Sequence, residues 1–282
     1  MRSVSIILGL VIALSMFVST NAAEGSLETI TLTSGGLERN YLLYTPANVK
    51  TEATLVVMIH GGGGSAEQAV RSYGWNEMAD QEGFIVLYPD ANGSAWNAGD
   101  CCGRAALQEV DDIGFLQEAI ADAKSRVSAH ITGVAMVGIS NGGMLTYRYA
   151  CEVGGLDAIG VVAATLVTDC ANPPPVSVMH VHGLADTRVP IDGSPGDGSE
   201  HVDGWPIADV NALWREADNC EAPLNSTTNG IHRSVASCEE GREVVLITLE
   251  NVDHTWPGSK RSTTDVYETT SELWKFIAEH TE

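Results

Sequence analysis

One short segment, Gly138-Ile139-Ser140-Asn141-Gly142, has the Gly-x-Ser-x-Gly spacing that can present a serine hydroxyl for nucleophilic attack. It lies between an apolar segment typical of a buried strand and a segment typical of a helix. The glycines permit a sharp turn and leave room beside the serine, and the helix start supplies unpaired N–H groups. The pattern predicts that Ser140 is a nucleophile, in preference to an ordinary tight turn.

A run of four glycines follows His60 at the end of the apolar segment Thr54–His60. Backbone N–H groups in such a loop can face a carbonyl oxygen without obstruction by side chains. This arrangement supplies half of an oxyanion hole in α/β-hydrolases. A phosphate-binding loop is the alternative, but the run lacks both the Lys-Ser/Thr of a P-loop and the G-x-G-x-x-G spacing.

A nucleophilic serine needs a base, and the base needs a carboxylate to orient it. In α/β-hydrolases the chain order is serine, acid, histidine. Asp186 follows the apolar segment Ser177–His182, and His254 follows Glu243–Leu249, so both lie where parallel strands end. Three other histidines occur late enough in the chain but in less suitable segments: His201, His232 and His280. We therefore predict a triad of Ser140, Asp186 and His254.

The elements that must position these residues alternate between strands and helices along the chain. Predicted strands are Ser26–Leu32, Asn40–Thr45, Thr54–His60, Phe84–Tyr88, Val134–Ile139, Ala158–Ala163, Ser177–His182 and Glu243–Leu249. Predicted helices are Ala66–Gln81, Val110–Val127, Gly142–Glu152, Ile207–Ala217 and Thr264–Ala278. This order indicates an α/β fold, with a mostly parallel sheet and helices on both faces.

The composition is that of a globular, strongly acidic protein. The 282 residues are 44% hydrophobic and 18% charged, and 37 acidic against 15 basic residues give a net charge of −22. Such a chain repels phosphate, which argues against nucleic acid or anionic membranes as partners.

The N-terminus has the pattern of a secretory signal peptide. Arg2 precedes the apolar run Val4–Val18, and small residues follow as Thr20–Ala23. We expect cleavage after Ala22 or Ala23, so residues 1–23 form the signal and residues 24–282 a single catalytic domain. A permanent anchor is the alternative, but the run is short for a membrane span. The protein is therefore expected to be secreted and, once the signal is removed, free of the membrane.

The six cysteines fit an exported protein with disulfides. Cys220 and Cys238 flank a polar segment that is predicted to be a loop, and they form the first expected pair. Cys151 and Cys170 form the second, which leaves the adjacent Cys101 and Cys102 either bonded to each other or free. No C-x-x-C or His-x-x-x-His spacing is present, so no metal site is expected.

Several segments together resemble one known family. They are Val-His-Gly-Leu-Ala-Asp-Thr-Arg-Val-Pro, His-Thr-Trp-Pro-Gly, Gly-Ile-Ser-Asn-Gly-Gly-Met, Val-Asp-Asp-Ile-Gly-Phe and the loop Trp96–Gly103. They look like the secreted polyhydroxybutyrate depolymerase/feruloyl esterase family of α/β-hydrolases, from about Leu37 to the C-terminus. One departure is Asn-Val-Asp before His254, where many members have glycines.

The resemblance implies a serine esterase without metal or organic cofactor. It assigns Ser140 as nucleophile, Asp186 as acid and His254 as base, with oxyanion donors on Asn141 and on Gly61 or Gly62. Members cleave polyhydroxyalkanoates, feruloyl-sugar esters or acetylated xylan, so a small or polymeric ester is the expected partner. A monomer is expected.

Three tryptophans in predicted loops could form an aromatic wall for the substrate: Trp96, Trp205 and Trp256. Ordinary packing is the alternative for each of them. Two other functions are compatible with such a chain, a peptidase and a non-catalytic binding protein on the same scaffold. An intact triad favours the enzyme, and the chain length leaves little room for the extra domain that such peptidases usually carry.

Overall fold

A computed structural model describes residues 25–198, 202–262 and 264–281, and ten strands within them form one sheet. The sheet order is β1-β2-β4-β3-β5-β6-β7-β10-β9-β8. The predicted signal peptide, residues 1–23, lies outside the described residues. The strands are β1 (Ser26–Ser34), β2 (Leu37–Thr45), β3 (Glu52–Ile59), β4 (Ile85–Pro89), β5 (His130–Ile139), β6 (Ala158–Val162), β7 (Ser177–Gly183), β8 (Leu224–Thr228), β9 (Ile231–Ser237) and β10 (Glu243–Leu249).

The middle of the sheet is parallel and its two margins are antiparallel. Strands β4, β3, β5, β6, β7 and β10 run in the same direction, while β1–β2 and β9–β8 form outer hairpins. The register pairs Ile59 with Gly138 and Leu249 with Gly183, so these strands end at one common edge. The segments that follow β3, β5, β7 and β10 therefore meet there, as the sequence predicts.

Helices cover both faces of the sheet, which explains why β4, β6 and β7 are buried along their whole length. Residues of α4, α5 and α6 pack in one core with one face, and residues of α1, α2 and α7 pack in a second core with the other. None of the described helices is long and apolar enough to cross a membrane. The helices are α1 (Ala66–Ser72), α2 (Trp75–Glu82), α3 (Gly103–Leu107), α4 (Asp112–Arg126), α5 (Asn141–Glu152), α6 (Ile207–Ala217) and α7 (Thr269–His280).

Three predicted elements differ from the structure. The closing helix, predicted as Thr264–Ala278, begins only at Thr269, because the Thr264 carbonyl is bound in a turn by Gly258 N and Ser262 Oγ. The predicted helix Ala66–Gln81 is two helices, because Gly74 adopts the left-handed conformation with φ 74° between α1 and α2. The predicted loop between Cys220 and Cys238 contains the hairpin β8–β9. Its turn is Asn229-Gly230, with φ of 51° and 75°, which is the pair of residues that a tight two-residue hairpin turn prefers.

Three disulfides link the six cysteines. Cys151 is joined to Cys170 and Cys220 to Cys238, the two pairs that the sequence favours. The adjacent Cys101 and Cys102 are bonded to each other. The Cys220–Cys238 bond closes the base of the outer hairpin, and the Cys151–Cys170 bond ties the end of α5 to the segment that follows β6.

Candidate active site

Ser140 occupies a sharp turn between β5 and α5. Its φ of 55° and ψ of −129° are unusual for a residue with a side chain, and its N–H donates to Val162 O at 2.9 Å. A Cβ on Gly138 would lie 2.4 Å from Gly142 O, and a Cβ on Gly142 would lie 2.4 Å from His60 O. The turn therefore requires glycine at both positions, which accounts for the Gly-x-Ser-x-Gly spacing.

The three residues predicted to act together form one hydrogen-bonded chain. Ser140 Oγ lies 2.8 Å from His254 Nε2, and His254 Nδ1 lies 2.8 Å from Asp186 Oδ2. Asp186 Oδ1 accepts the N–H groups of Arg188 and Val189, each at 2.9 Å. Burial alone would raise the pKa of Asp186, but the hydrogen bond and charge of His254, with the Val189 N–H, hold that pKa below its usual value. Asp186 is thus held as a carboxylate facing the imidazole.

The loops that carry the acid and the histidine are bonded to each other. Leu184 N donates to Leu249 O at 2.9 Å, and Ala185 N donates to Val252 O at 2.9 Å. Gly183 permits this approach, because a Cβ there would lie 2.2 Å from Val252 O. The positions of the carboxylate and the imidazole are therefore fixed by backbone contacts as well as by their own hydrogen bond.

A buried chain of hydrogen-bonded side chains lies behind Asp186. Tyr147 Oη lies 2.7 Å from His180 Nδ1, His180 Nε2 lies 2.9 Å from His182 Nδ1, and His182 Nε2 lies 2.8 Å from Val189 O. Since a carbonyl only accepts, His182 Nε2 must donate to Val189 O. In neutral imidazoles, His180 Nε2 then donates to His182 Nδ1, and the Tyr147 hydroxyl donates to His180 Nδ1.

Both imidazoles of this chain are neutral, because burial lowers the pKa of His182 and lowers that of His180 far below its usual value. The chain anchors Val189, whose N–H binds Asp186. The His-x-His spacing on a strand was the available signal, since residues two apart point to the same face.

One peptide of the glycine run beside Ser140 has its carbonyl held by His60. Ala91 N–H donates to His60 Nε2 at 3.2 Å, so His60 carries its proton on Nδ1 and donates to Gly61 O at 2.8 Å. In a trans peptide the Gly62 N–H points opposite to that carbonyl. Gly62 and Asn141 line the same cleft as Ser140, and their N–H groups donate to no acceptor among the described residues. The geometry thus favours Gly62 over Gly61 as the partner of Asn141 in an oxyanion hole.

Trp96 does not form a substrate wall, contrary to the prediction. Its side chain is fully buried, and its indole N–H donates to His60 O at 2.8 Å. The Asn141 side chain binds the Trp96 backbone at both N (2.7 Å) and O (3.0 Å). Trp96 therefore holds the glycine run and the serine turn together from behind.

The other two predicted tryptophans occupy different surroundings. Trp256 is almost completely buried against Tyr73 and Trp75, although it borders a cleft, and its indole N–H donates to Thr270 at 3.0 Å. Trp205 is 40% exposed and lies outside the two clefts described next. Packing thus accounts for most of the surface of Trp256.

Two clefts meet at His254. The first cleft, about 440 Å³, is lined by residues including Gly62, Arg104, Ser140, Met144 and Arg188. The second cleft, about 330 Å³, is lined by residues including Gly61, Gln68, Tyr73, Trp256 and Arg261. Ser140 lines only the first cleft, so a reacting ester carbonyl would enter there.

Comparison with known proteins gives a consistent set of similarities. A family model described as esterase PHB depolymerase matches residues 39–191. The putative esterase NocK of Nocardia uniformis subsp. tsuyamanensis is 28% identical over 230 residues, covering 72% of this chain and 65% of that protein. The bifunctional acetylxylan esterase/xylanase XynS20E of Neocallimastix patriciarum is 22% identical over 256 residues, covering 87% of this chain and 34% of its own length. An acetylxylan esterase of Coprinopsis cinerea is 33% identical over 137 residues, covering 47% of this chain and 37% of that one. The chain thus spans between about a third and two thirds of the length of these relatives.

The fold is also that of known esterases. The solved acetyl xylan esterase from Aspergillus awamori superposes with a TM-score of 0.66 at 15% identity, covering 90% of this chain and all of that one. An S-formylglutathione hydrolase from Agrobacterium tumefaciens superposes with a TM-score of 0.58 at 14% identity, covering 94% and 99%. At such identities the likeness concerns the fold, which is the α/β-hydrolase fold predicted from the sequence.

Proposed function

The chain belongs to the esterase PHB depolymerase family, and from that premise we propose that it is a secreted serine hydrolase of carboxylic esters that works through an acyl-enzyme. The observation that carries the proposal is the unbroken chain Ser140–His254–Asp186, with both hydrogen bonds at 2.8 Å. The three disulfides support an exported protein, and residues 24–282 would form its single catalytic domain, acting as a monomer.

In the acylation step, His254 Nε2 takes the hydroxyl proton of Ser140 as Oγ attacks the ester carbonyl. The carbonyl oxygen becomes an oxyanion and accepts the N–H groups of Gly62 and Asn141, and each such donor contributes about 3–4 kcal/mol. Asp186 keeps the His254 proton on Nδ1 and stabilises the imidazolium that forms. The C–O bond of the ester then breaks, and the departing alcohol takes the proton from Nε2.

In the deacylation step, water takes the place of the alcohol. His254 removes a proton from the water as its oxygen attacks the acyl-enzyme, and the same two N–H groups bind the second oxyanion. The carboxylic acid leaves as Ser140 Oγ regains its proton from His254. Every proton taken is returned, so these residues complete the reaction without a cofactor.

Two substrate classes compete within this reaction. The family description points to hydroxyalkanoate esters and the sequence resemblance also to feruloyl esters, whereas several curated relatives are named as acetylxylan esterases. The first cleft accommodates a short acyl chain beside Ser140. A panel of 4-nitrophenyl acetate and butyrate, feruloyl-arabinose, acetylxylan and polyhydroxybutyrate film would distinguish the classes.

Replacing the nucleophile tests the proposal. Ser140→Ala is expected to fold normally, with an unchanged circular dichroism spectrum, and to lose several orders of magnitude in ester turnover. Ser94→Ala is a matched control, since Ser94 borders the same cleft without belonging to the triad. A Ser140→Ala protein that kept more than about a tenth of the wild-type turnover would refute the serine mechanism.

A further inference from the structure

The charged side chains at the mouth of the first cleft have the opposite sign to the protein. Among the described residues that line it, the only acidic or basic ones apart from His254 are Arg104 and Arg188. The whole chain has 37 acidic against 15 basic residues. The described lining of this cleft therefore carries two positive charges and no carboxylate, contrary to the composition of the chain.

Neither arginine side chain has a partner in the part of the chain that the structure describes. The side chains of Arg104 and Arg188 make no ion pair or hydrogen bond with any described residue, and both are exposed. Five other arginines each bind a carboxylate: Arg39, Arg126, Arg148, Arg233 and Arg242. A structural role thus explains those five arginines but gives no account of the two in the cleft.

The position of Arg188 is set by the catalytic loop itself. Its backbone N–H binds Asp186 Oδ1 at 2.9 Å, and its side chain lines both clefts beside His254. Arg104 enters the first cleft from α3, directly after the bonded cysteines. Guanidinium groups are always protonated and match a carboxylate with paired N–H donors. Two such groups near one reacting serine provide a site for an anion.

Resting on the proposed function, we propose that the natural substrate is an ester that carries a free carboxylate, bound in the first cleft by Arg104 and Arg188. The cleft holds about 440 Å³, room for a short chain between the ester and the carboxylate. The carboxylate is on the acyl half or the alcohol half of the ester, and matched esters of each kind distinguish the two. Arg261 belongs to the second cleft, which Ser140 does not line, and contributes less.

Charge preference is measured with matched esters. The mono-4-nitrophenyl ester of adipic acid carries the carboxylate on the acyl side, and its terminal amide is the neutral analogue. The butyrate ester of 4-hydroxybenzoate carries the charge on the alcohol side, with the 4-hydroxybenzamide ester as its analogue. The readout is the ratio of kcat/KM for the charged over the neutral member, which cancels general losses of activity. We expect a ratio above one in at least one pair for the wild type, falling about tenfold in Arg104→Gln or Arg188→Gln.

Controls separate local binding from total charge. Lys124→Gln removes one positive charge at the end of α4, next to the start of β5 and so at the sheet edge opposite Ser140, and its ratio should equal that of the wild type. Arg104→Lys should restore part of the preference, and added salt should reduce it in the wild type. An equal ratio in wild type and both glutamine variants would overturn the inference while leaving the esterase proposal intact.

Binding gives a test that does not depend on turnover. Titration calorimetry of the same esters with the Ser140→Ala protein should show tighter binding of the charged member, lost in Ser140→Ala/Arg188→Gln. Failure of the wild type to hydrolyse any ester would refute the proposed function, and the calorimetric preference would still decide the anion site. Equal binding of charged and neutral esters, or no binding of either charged ester, would overturn the proposed carboxylate site.

Discussion

Replacing Asp186 by asparagine is expected to reverse the direction of its hydrogen bond with His254. Asp186 Oδ1 accepts two backbone N–H groups, from Arg188 and Val189, at 2.9 Å each. In the variant only the amide oxygen can occupy that position, so the amide N–H₂ must face His254 Nδ1. His254 then carries its proton on Nε2, where it can no longer accept one from Ser140.

The size of the loss follows from two contributions. The hydrogen bond between the carboxylate and the forming imidazolium is charge-assisted, and losing it costs about 1.5–3 kcal/mol. Restoring the productive tautomer against the new amide bond costs about 1–3 kcal/mol more, since a buried donor is left unpaired. At about 1.4 kcal/mol for each factor of ten, kcat should fall by about 10²–10⁴. The loss is thus smaller than for Ser140→Ala but far larger than for a peripheral substitution.

Two measurements test this reasoning. Single-turnover hydrolysis of 4-nitrophenyl butyrate gives the rate, and ¹⁵N NMR of the imidazole gives the tautomer, which should change from Nδ1–H to Nε2–H. Asp192→Asn is the control, because Asp192 lies in the same region and, among the described residues, its carboxylate binds Ser194 alone. An Asp186→Asn protein with an Nδ1–H imidazole, or with nearly wild-type rate while Asp192→Asn was inactive, would refute the assignment.

Three further outcomes concern stability. Removing the Cys220–Cys238 bond by double alanine substitution should lower the free energy of unfolding by about 3 kcal/mol, and a change in urea midpoint too small to detect would contradict this. Tyr147→Phe leaves His180 Nδ1 buried without its donor and should cost about 1–2 kcal/mol in the same assay, whereas an unchanged midpoint would show that the hydroxyl is dispensable. Burial raises the pKa of Asp218 to about 6 despite its arginine partner, so the native state binds the extra proton. The stability that this proton contributes is complete below the unfolded pKa of about 3.9 and is lost as the pH rises through about 6. Relative to Asp218→Asn, the wild type should therefore lose about 2 kcal/mol of unfolding free energy between about pH 4 and pH 7, and a constant difference would contradict this.

Residue types and local spacing are sufficient to predict the parallel strands and to select three residues that the structure joins by hydrogen bonds. Apolar runs such as Thr54–His60 are buried on both faces, and this marks strands in the middle of a covered sheet. Strand ends share one edge, so Ser140, Asp186 and His254 could be expected to meet there before any distance was measured. The glycines at 138 and 142 also have a local cause, the space occupied by neighbouring backbone.

Features that depend on tertiary packing could not be predicted in this way. A break in the helix at Gly74 depends on which conformation one glycine adopts, and the surrounding pattern favoured continuation. Trp96 lies in a predicted loop, for which a substrate wall and ordinary packing were both open, and the folded chain buries it between the glycine run and Asn141. Arg104 and Arg188 line the same cleft although they are far apart in sequence, and neither residue lies in a sequence motif that indicates an anion site.

The two outer hairpins leave the sheet with an open strand on each side, β1 and β8. All five residues of β8 are exposed, and Leu224 is 80% exposed, so its free backbone groups could pair with a strand of a neighbouring molecule. Each copy has a net charge of −22, and this repels a second copy. The repulsion acts over about 8 Å at physiological ionic strength and over less in concentrated salt. At low ionic strength the repulsion should therefore keep the molecules apart. At high ionic strength it is screened, and two β8 edges can approach closely enough to pair. The solubility and storage stability of the protein should thus depend on the salt concentration.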